Sequence, residues 1–138
     1  MKQIPRTKKA PVLRIDFSSQ AAWQAICATI REPVDGFYPN VDYIDDKKYA
    51  GLAKDQLLEL IPKNFGHSFI IIVDREAIVR PDHPLLIVNL LLGSGDEFRA
   101  IPGQIQGIEN NLSIANMDFK EFAGSVDRDG VFRGFPRN

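Results

Sequence analysis

The sequence predicts an α/β fold: a single-domain mixed sheet of about five strands, ordered β-α-β-α-β and then antiparallel, with packed helices and C-terminal helical segments. Three observations carry that expectation. Apolar runs of strand length alternate with helix-spaced stripes through the first half of the chain, which implies parallel strands joined by helical crossovers. The run Ser68 to Val73, SFIIIV, is apolar on consecutive positions, as in a strand buried on both faces. After Asp74 the spacing shortens and two prolines intervene, too little chain for a further packed crossover, so the next strand returns antiparallel.

Taken in order, Val12 to Asp16 reads as a strand, and Ser18 or Ser19 caps a helix in which Ala22, Ile26 and Ile30 share a face with Trp23 beside them. Pro33 stops that helix and Asp35 with Gly36 makes the turn. Val41 to Asp45 is a second strand. Leu57, Leu58 and Ile61 define a short helix closed by Pro62, ahead of the central strand. Leu85 to Leu92 returns antiparallel, or along an irregular excursion that includes Ala77 to Val79. GSGDE is a turn, and Phe98 to Ile101 is a shorter, alternating strand of the kind found at an edge.

Ile105, Ile108 and Leu112 then fall at i, i+3 and i+7, one face of a helix that lies against the sheet. Pro102 suits its first turn. Asn110 and Asn111 are expected to end it in the left-handed conformation. Asp118, with Glu121 three residues on, reads as the N-cap of a second helical segment whose buried side is Phe119, Phe122 and Ala123.

The chain has 138 residues and a formal net charge of -1, one domain's length, with the first ten residues read as a flexible basic terminus. Mixed charge of this kind argues against general nucleic-acid binding, which requires a basic surface to neutralise phosphates. No apolar run has signal-peptide or bilayer-spanning length, so a cytoplasmic protein that does not enter the membrane is expected. A single cysteine, Cys27, excludes an intramolecular disulfide and falls where a helix would bury it.

The segments ENNLSIANMDFKEFA, DGVFRGF and RIDFSSQAAWQAIC together resemble a domain-of-unknown-function family found in bacterial genomes. The matches run from Arg14 to Phe17, Ala21 to Trp23, Gly66 to Phe69, His83 to Leu86, Gln104 to Phe119 and Gly130 to Phe135. The resemblance implies relatives over nearly the whole chain and brings no activity, cofactor or catalytic residue with it.

The residues themselves offer two functional readings. One is an interaction or ligand-binding module without catalysis. Side-chain amides at Asn110, Asn111 and Asn116 are candidates to line a polar ligand pocket, although helix ends use the same residues. The apolar tail at Val131, Phe132, Arg133 and Phe135 is either folded back onto the body or a docking point for a partner or a second copy, since aromatic and Arg side chains anchor interfaces. The other reading is a metal-assisted enzyme, a hydrolase for example. Asp16, Asp45, Asp46 and Asp74 each follow a predicted parallel strand, and parallel strands deliver their carboxyl ends to the ligand-binding edge of an α/β sheet. Crowded carboxylates there would call for a cation. His67 and His83 are expected to be hydrogen-bonded structural groups, and Asn89, inside an apolar strand, to bond a loop or helix end.

Overall fold

The computed structural model describes residues 3–135; Lys2 of the basic terminus and the last three residues of the tail lie outside them. One sheet of six strands organises the chain: β1 (Ala10–Arg14), β2 (Val41–Ile44), β3 (Phe69–Val73), β4 (Leu85–Asn89), β5 (Glu97–Ala100) and β6 (Val131–Phe132). Their spatial order is β2-β1-β3-β4-β5-β6. The first three are mutually parallel, β4 is antiparallel to both neighbours, and β6 runs parallel to β5.

β1 therefore lies between β2 and β3, and the crossover from β1 to β2 moves across the sheet in the opposite direction to the one from β2 to β3. Crossovers of one hand must then place their helices on opposite faces. So they do: α1 (Gln20–Arg31) covers one face with Trp23, Ile26, Cys27 and Ile30 against Val12 and Ile71. α2 (Lys54–Glu59) covers the other, Leu57 meeting Leu13, Ile70 and Ile72 together with Tyr49, Phe65 and Ile4 from the N-terminal segment. Successive strand residues point to opposite faces, which is why β3 is apolar throughout: Phe69, Ile71 and Val73 serve the first core while Ile70 and Ile72 serve the second.

α3 (Arg75–Val79), α4 (Ile105–Ser113) and α5 (Phe119–Ala123) join α1 on the first face. Ser19 is the N-cap of α1, its hydroxyl accepting the Ala22 N–H at 3.1 Å. The α4 stripe has the expected register, with Ile105 and Ile108 fully buried and Leu112 nearly so.

Four expectations need correction. The strands number six because Val131–Phe132 adds to β5, so β5 is an internal strand; two residues are too few for periodicity to reveal, and a long-range pairing decides them. Ala77 to Val79 belongs to a helical turn, nucleated by the Asp74 carboxylate accepting the Ala77 N–H. β4 ends at Asn89, where Leu91–Gly93 turns as a 3-10 helix and the Asn89 side-chain oxygen accepts the Leu91 N–H. α4 runs through Asn110 and Asn111 to Ser113, and the left-handed residue beyond it is Ala115, at φ 53°.

The tail folds back. Asp127 to Gly130 forms the turn into β6, the Gly130 N–H donating to the Asp127 carbonyl with Gly130 at φ 81°, where a side chain is strained. Phe132 then enters an aromatic cluster with Phe98, Phe122 and Phe135, at centroid distances of 6.4, 5.3 and 5.0 Å. Arg133 clasps the turn from outside, reaching Asp82, Asp127 and Asp129 at 2.6 to 2.9 Å.

Candidate functional site

At the carboxyl edge of the parallel strands the sheet brings several charged groups near one another and then pairs them. Asp74 forms a two-pronged ion pair with Arg99, at 3.0 and 2.7 Å, while Arg99 Nε also reaches Glu76 at 3.2 Å. Arg14, almost wholly buried, stacks on Phe17 and Trp23 and reaches the Asp45 carboxylate at 3.3 Å. The Asp16 carboxylate accepts the Ser18 N–H and hydroxyl; burial pushes its pKa up, but these two bonds, with Arg75 and Arg14 behind them, leave it below the ordinary value. Asp46 caps a 3-10 turn through the Lys48 N–H and pairs with the Lys48 ammonium.

Asp16 and Asp74 do line one cleft of about 410 Å³ with Arg99, but Asp45 faces a different hollow, beside Trp23, Cys27 and Tyr43. Among the described residues no group of three or more His, Cys, Asp or Glu side chains is placed to hold a metal ion. The reason is local: a carboxylate following a strand is at once the nearest acceptor for the N–H groups of the helical turn it precedes, and Asp46 and Asp74 cap such turns, as Asp16 does for Ser18.

The asparagine candidates are engaged in the same way. Asn111 Nδ2 donates to the Gly107 carbonyl at 2.8 Å and its oxygen accepts from Asn116 Nδ2 at 2.9 Å, so the pair shapes the descent from α4 to α5. Asn110 is exposed beside them. Of the tail candidates, Val131 and Phe132 are buried in the sheet, which leaves Arg133 and Phe135 at the surface, Phe135 being 44% exposed.

The opposite edge differs. Where β1 and β3 begin and β4 ends, the turn between α4 and α5 overhangs a cleft of about 470 Å³ floored by Ala10, Phe69, Leu112 and Phe119. Glu109 descends into it from α4 and is only 5% exposed. Its Oε1 accepts the Asn40 N–H at 2.6 Å, while Oε2 makes no hydrogen bond or ion pair among the described residues and is open to solvent; the one fully enclosed, unpartnered side-chain atom among them is the Tyr43 hydroxyl. Glu109 is the one acid among the described residues that is buried as a whole, with one oxygen bonded to the protein and the other reaching the cleft.

Three further features surround it. Lys8 and Lys9 line the rim, exposed and without an ion pair among the described residues. His67 is held by the N-terminal segment: its Nε2 donates to the Thr7 carbonyl at 2.8 Å. The negative end of the α4 dipole also lies here, through Leu112 and Ser113.

Sequence reasoning missed Glu109, and a signal for it existed. The residue stands at i+4 from Ile105 and i+1 from Ile108, so it belongs to the buried stripe of α4, and a carboxylate on an apolar stripe must find a donor or a ligand. No comparable signal marks Lys8, Lys9 or Asn40, which reach the cleft only because β1 and β2 pair.

Fold and cleft together define a doubly wound α/β domain with an antiparallel extension and a ligand-sized cleft at its amino-terminal edge. A family model described as "Domain of unknown function (DUF6924)" matches residues 9–135, and the chain belongs to that family. A search of curated proteins finds no match. Among the described residues no helix is long and apolar enough to cross a membrane.

Proposed function

We propose that this domain is a non-catalytic binding module that takes a small polar ligand into the cleft beneath the α4–α5 turn. The observation that carries the reading is Glu109, a nearly buried carboxylate with one oxygen held by the Asn40 N–H and the other facing open cleft. A ligand that donates to that oxygen gains a charge-assisted hydrogen bond. The apolar floor and the few convergent polar groups are what a small-molecule site requires. Both histidines support a role without catalysis, because each spends a ring nitrogen on a backbone carbonyl, His67 on Thr7 and His83 on Ala77.

The test is a fragment screen read by backbone amide NMR shifts. Fragments that bind are expected to move the amides of Asn40, Ser68, Ser113 and Met117 and to leave those of Asp16 and Arg75, at the other edge, in place. A screen in which no fragment moves the first set would sink the reading.

A second reading, docking of a protein partner or a second copy at the tail, draws support from Phe135, a partly exposed ring seated on Phe122 and Phe132. Sedimentation velocity on wild type and Phe135→Ser tests it; concentration-dependent association abolished by the substitution is the expected result.

A further inference from the structure

The cleft around Glu109 carries more information than its volume, because its charges are arranged in two separate places. The carboxylate is deep, with only its Oε2 free, and the negative end of α4 lies beside it. The ammonium groups of Lys8 and Lys9 are at the rim, and neither is paired among the described residues. Asp118, also exposed at the rim, brings the total to two acids against two lysines.

A ligand that carries only positive charge would satisfy Glu109 and be repelled by the lysines. One carrying only negative charge would meet the lysines and be repelled by the Glu109 carboxylate. We propose, building on the binding role assigned to this cleft, that it accepts a small zwitterion. The cationic group, a primary ammonium or a guanidinium, enters first and donates to Glu109 Oε2; the anionic group, a carboxylate or a phosphate, remains near the mouth within reach of Lys8 and Lys9. The depth of the two charges sets the orientation. A charge-assisted hydrogen bond beside the apolar side chains of Phe69, Leu112 and Phe119 is the strong contact. The exposed lysines act over longer range and are screened by salt.

The experiment titrates the intact protein with the ω-amino acids from glycine to 6-aminohexanoate, which span a range of charge separations, and with butylammonium and butanoate as half-charged controls. Amide NMR shifts at Asn40, Ser68, Ser113 and Met117 report binding. At least one zwitterion is expected to bind about tenfold or more tightly than either control, the ratio expected for a charge-assisted hydrogen bond. Glu109→Gln retains an acceptor for the Asn40 N–H and so preserves the fold, which its amide spectrum checks. It should weaken that zwitterion by about tenfold or more. The exposed pair Lys8→Ala with Lys9→Ala should weaken it by a smaller factor that shrinks as salt is added. Butanoate or a neutral fragment binding as tightly as every zwitterion would overturn the proposal, as would an unchanged affinity in Glu109→Gln. If fragments of another class move the cleft amides while no zwitterion does, the zwitterion assignment falls and the binding role stands. If nothing moves them, both fall.

Discussion

Truncation of Phe132 to Ala tests how the C-terminal tail is held. Phe132 is 1% exposed and packs against three other phenylalanine rings, so its loss removes a large buried side chain from a site walled by rigid aromatic neighbours that can collapse only in part. Phe→Ala changes of that kind cost about 3–5 kcal/mol. With an unfolding entropy of about 2.1 cal/mol/K per residue, a chain this long has roughly 290 cal/mol/K in total, so the melting temperature should fall by about 10–17 °C. The assay is a thermal melt followed by far-UV circular dichroism and calorimetry, paired with Arg133→Gln in the same buffer. Arg133 holds the tail only through ion pairs to partly exposed aspartates, and such pairs contribute little and weaken with salt. Its substitution should lower the melting temperature far less, and the difference should narrow in concentrated salt. A fall of under about 3 °C for Phe132→Ala, or one matched by Arg133→Gln, would refute the claim that burial rather than charge docks β6.

Three more outcomes follow from the same geometry. Hydrogen bonds from Arg133 hold the Asp82 and Asp129 carboxyls below their ordinary value, so their contribution to stability is complete above the unfolded carboxylate pKa and is lost as pH falls through the depressed folded values; acid melts should therefore show a shallower loss below about pH 4 in Arg133→Gln than in wild type, and identical slopes would count against the clasp. Burial pushes the Cys27 thiol up to about 11, so a disulfide reagent at pH 8 should label native protein slowly and urea-unfolded protein fast, equal rates arguing that α1 is not seated as described. Ile108→Ala should cost about 2–5 kcal/mol by urea denaturation, because Ile108 is fully buried. Gln106→Ala should stay within about 0.5 kcal/mol. Equal effects would disprove the register of α4.

Much of the fold was legible because its signals are local. The unbroken apolar run of β3, the serine cap of α1, the Glu121 carboxylate reaching back to the Asp118 N–H at the start of α5, and the i, i+3, i+7 stripe of α4 each depend on a few neighbouring residues, and each stands as expected. The central position of β1, parallel to β2 on one side and β3 on the other, has no such local signal.

What the sequence did not settle depends on residues far apart along the chain. β6 exists because Val131 and Phe132 meet Arg99 and Ala100, and nothing within two residues can announce such a pairing. The strand-end aspartates were visible as a pattern, but whether a carboxylate faces a ligand or an arginine is decided by what the sheet brings beside it. Asp74 meets Arg99, 25 residues on, and Asp45 meets Arg14, 31 residues back. Glu109 is the converse case: its place on the apolar stripe of α4 was written in the sequence, whereas its half-free carboxylate arises from the contact with the Asn40 N–H, 69 residues away. Local sequence determines which backbone groups need caps and which faces are apolar, because those demands are met within a turn or a strand. Charge pairing and cleft formation are settled only when the folded chain fixes which distant groups share one dry space.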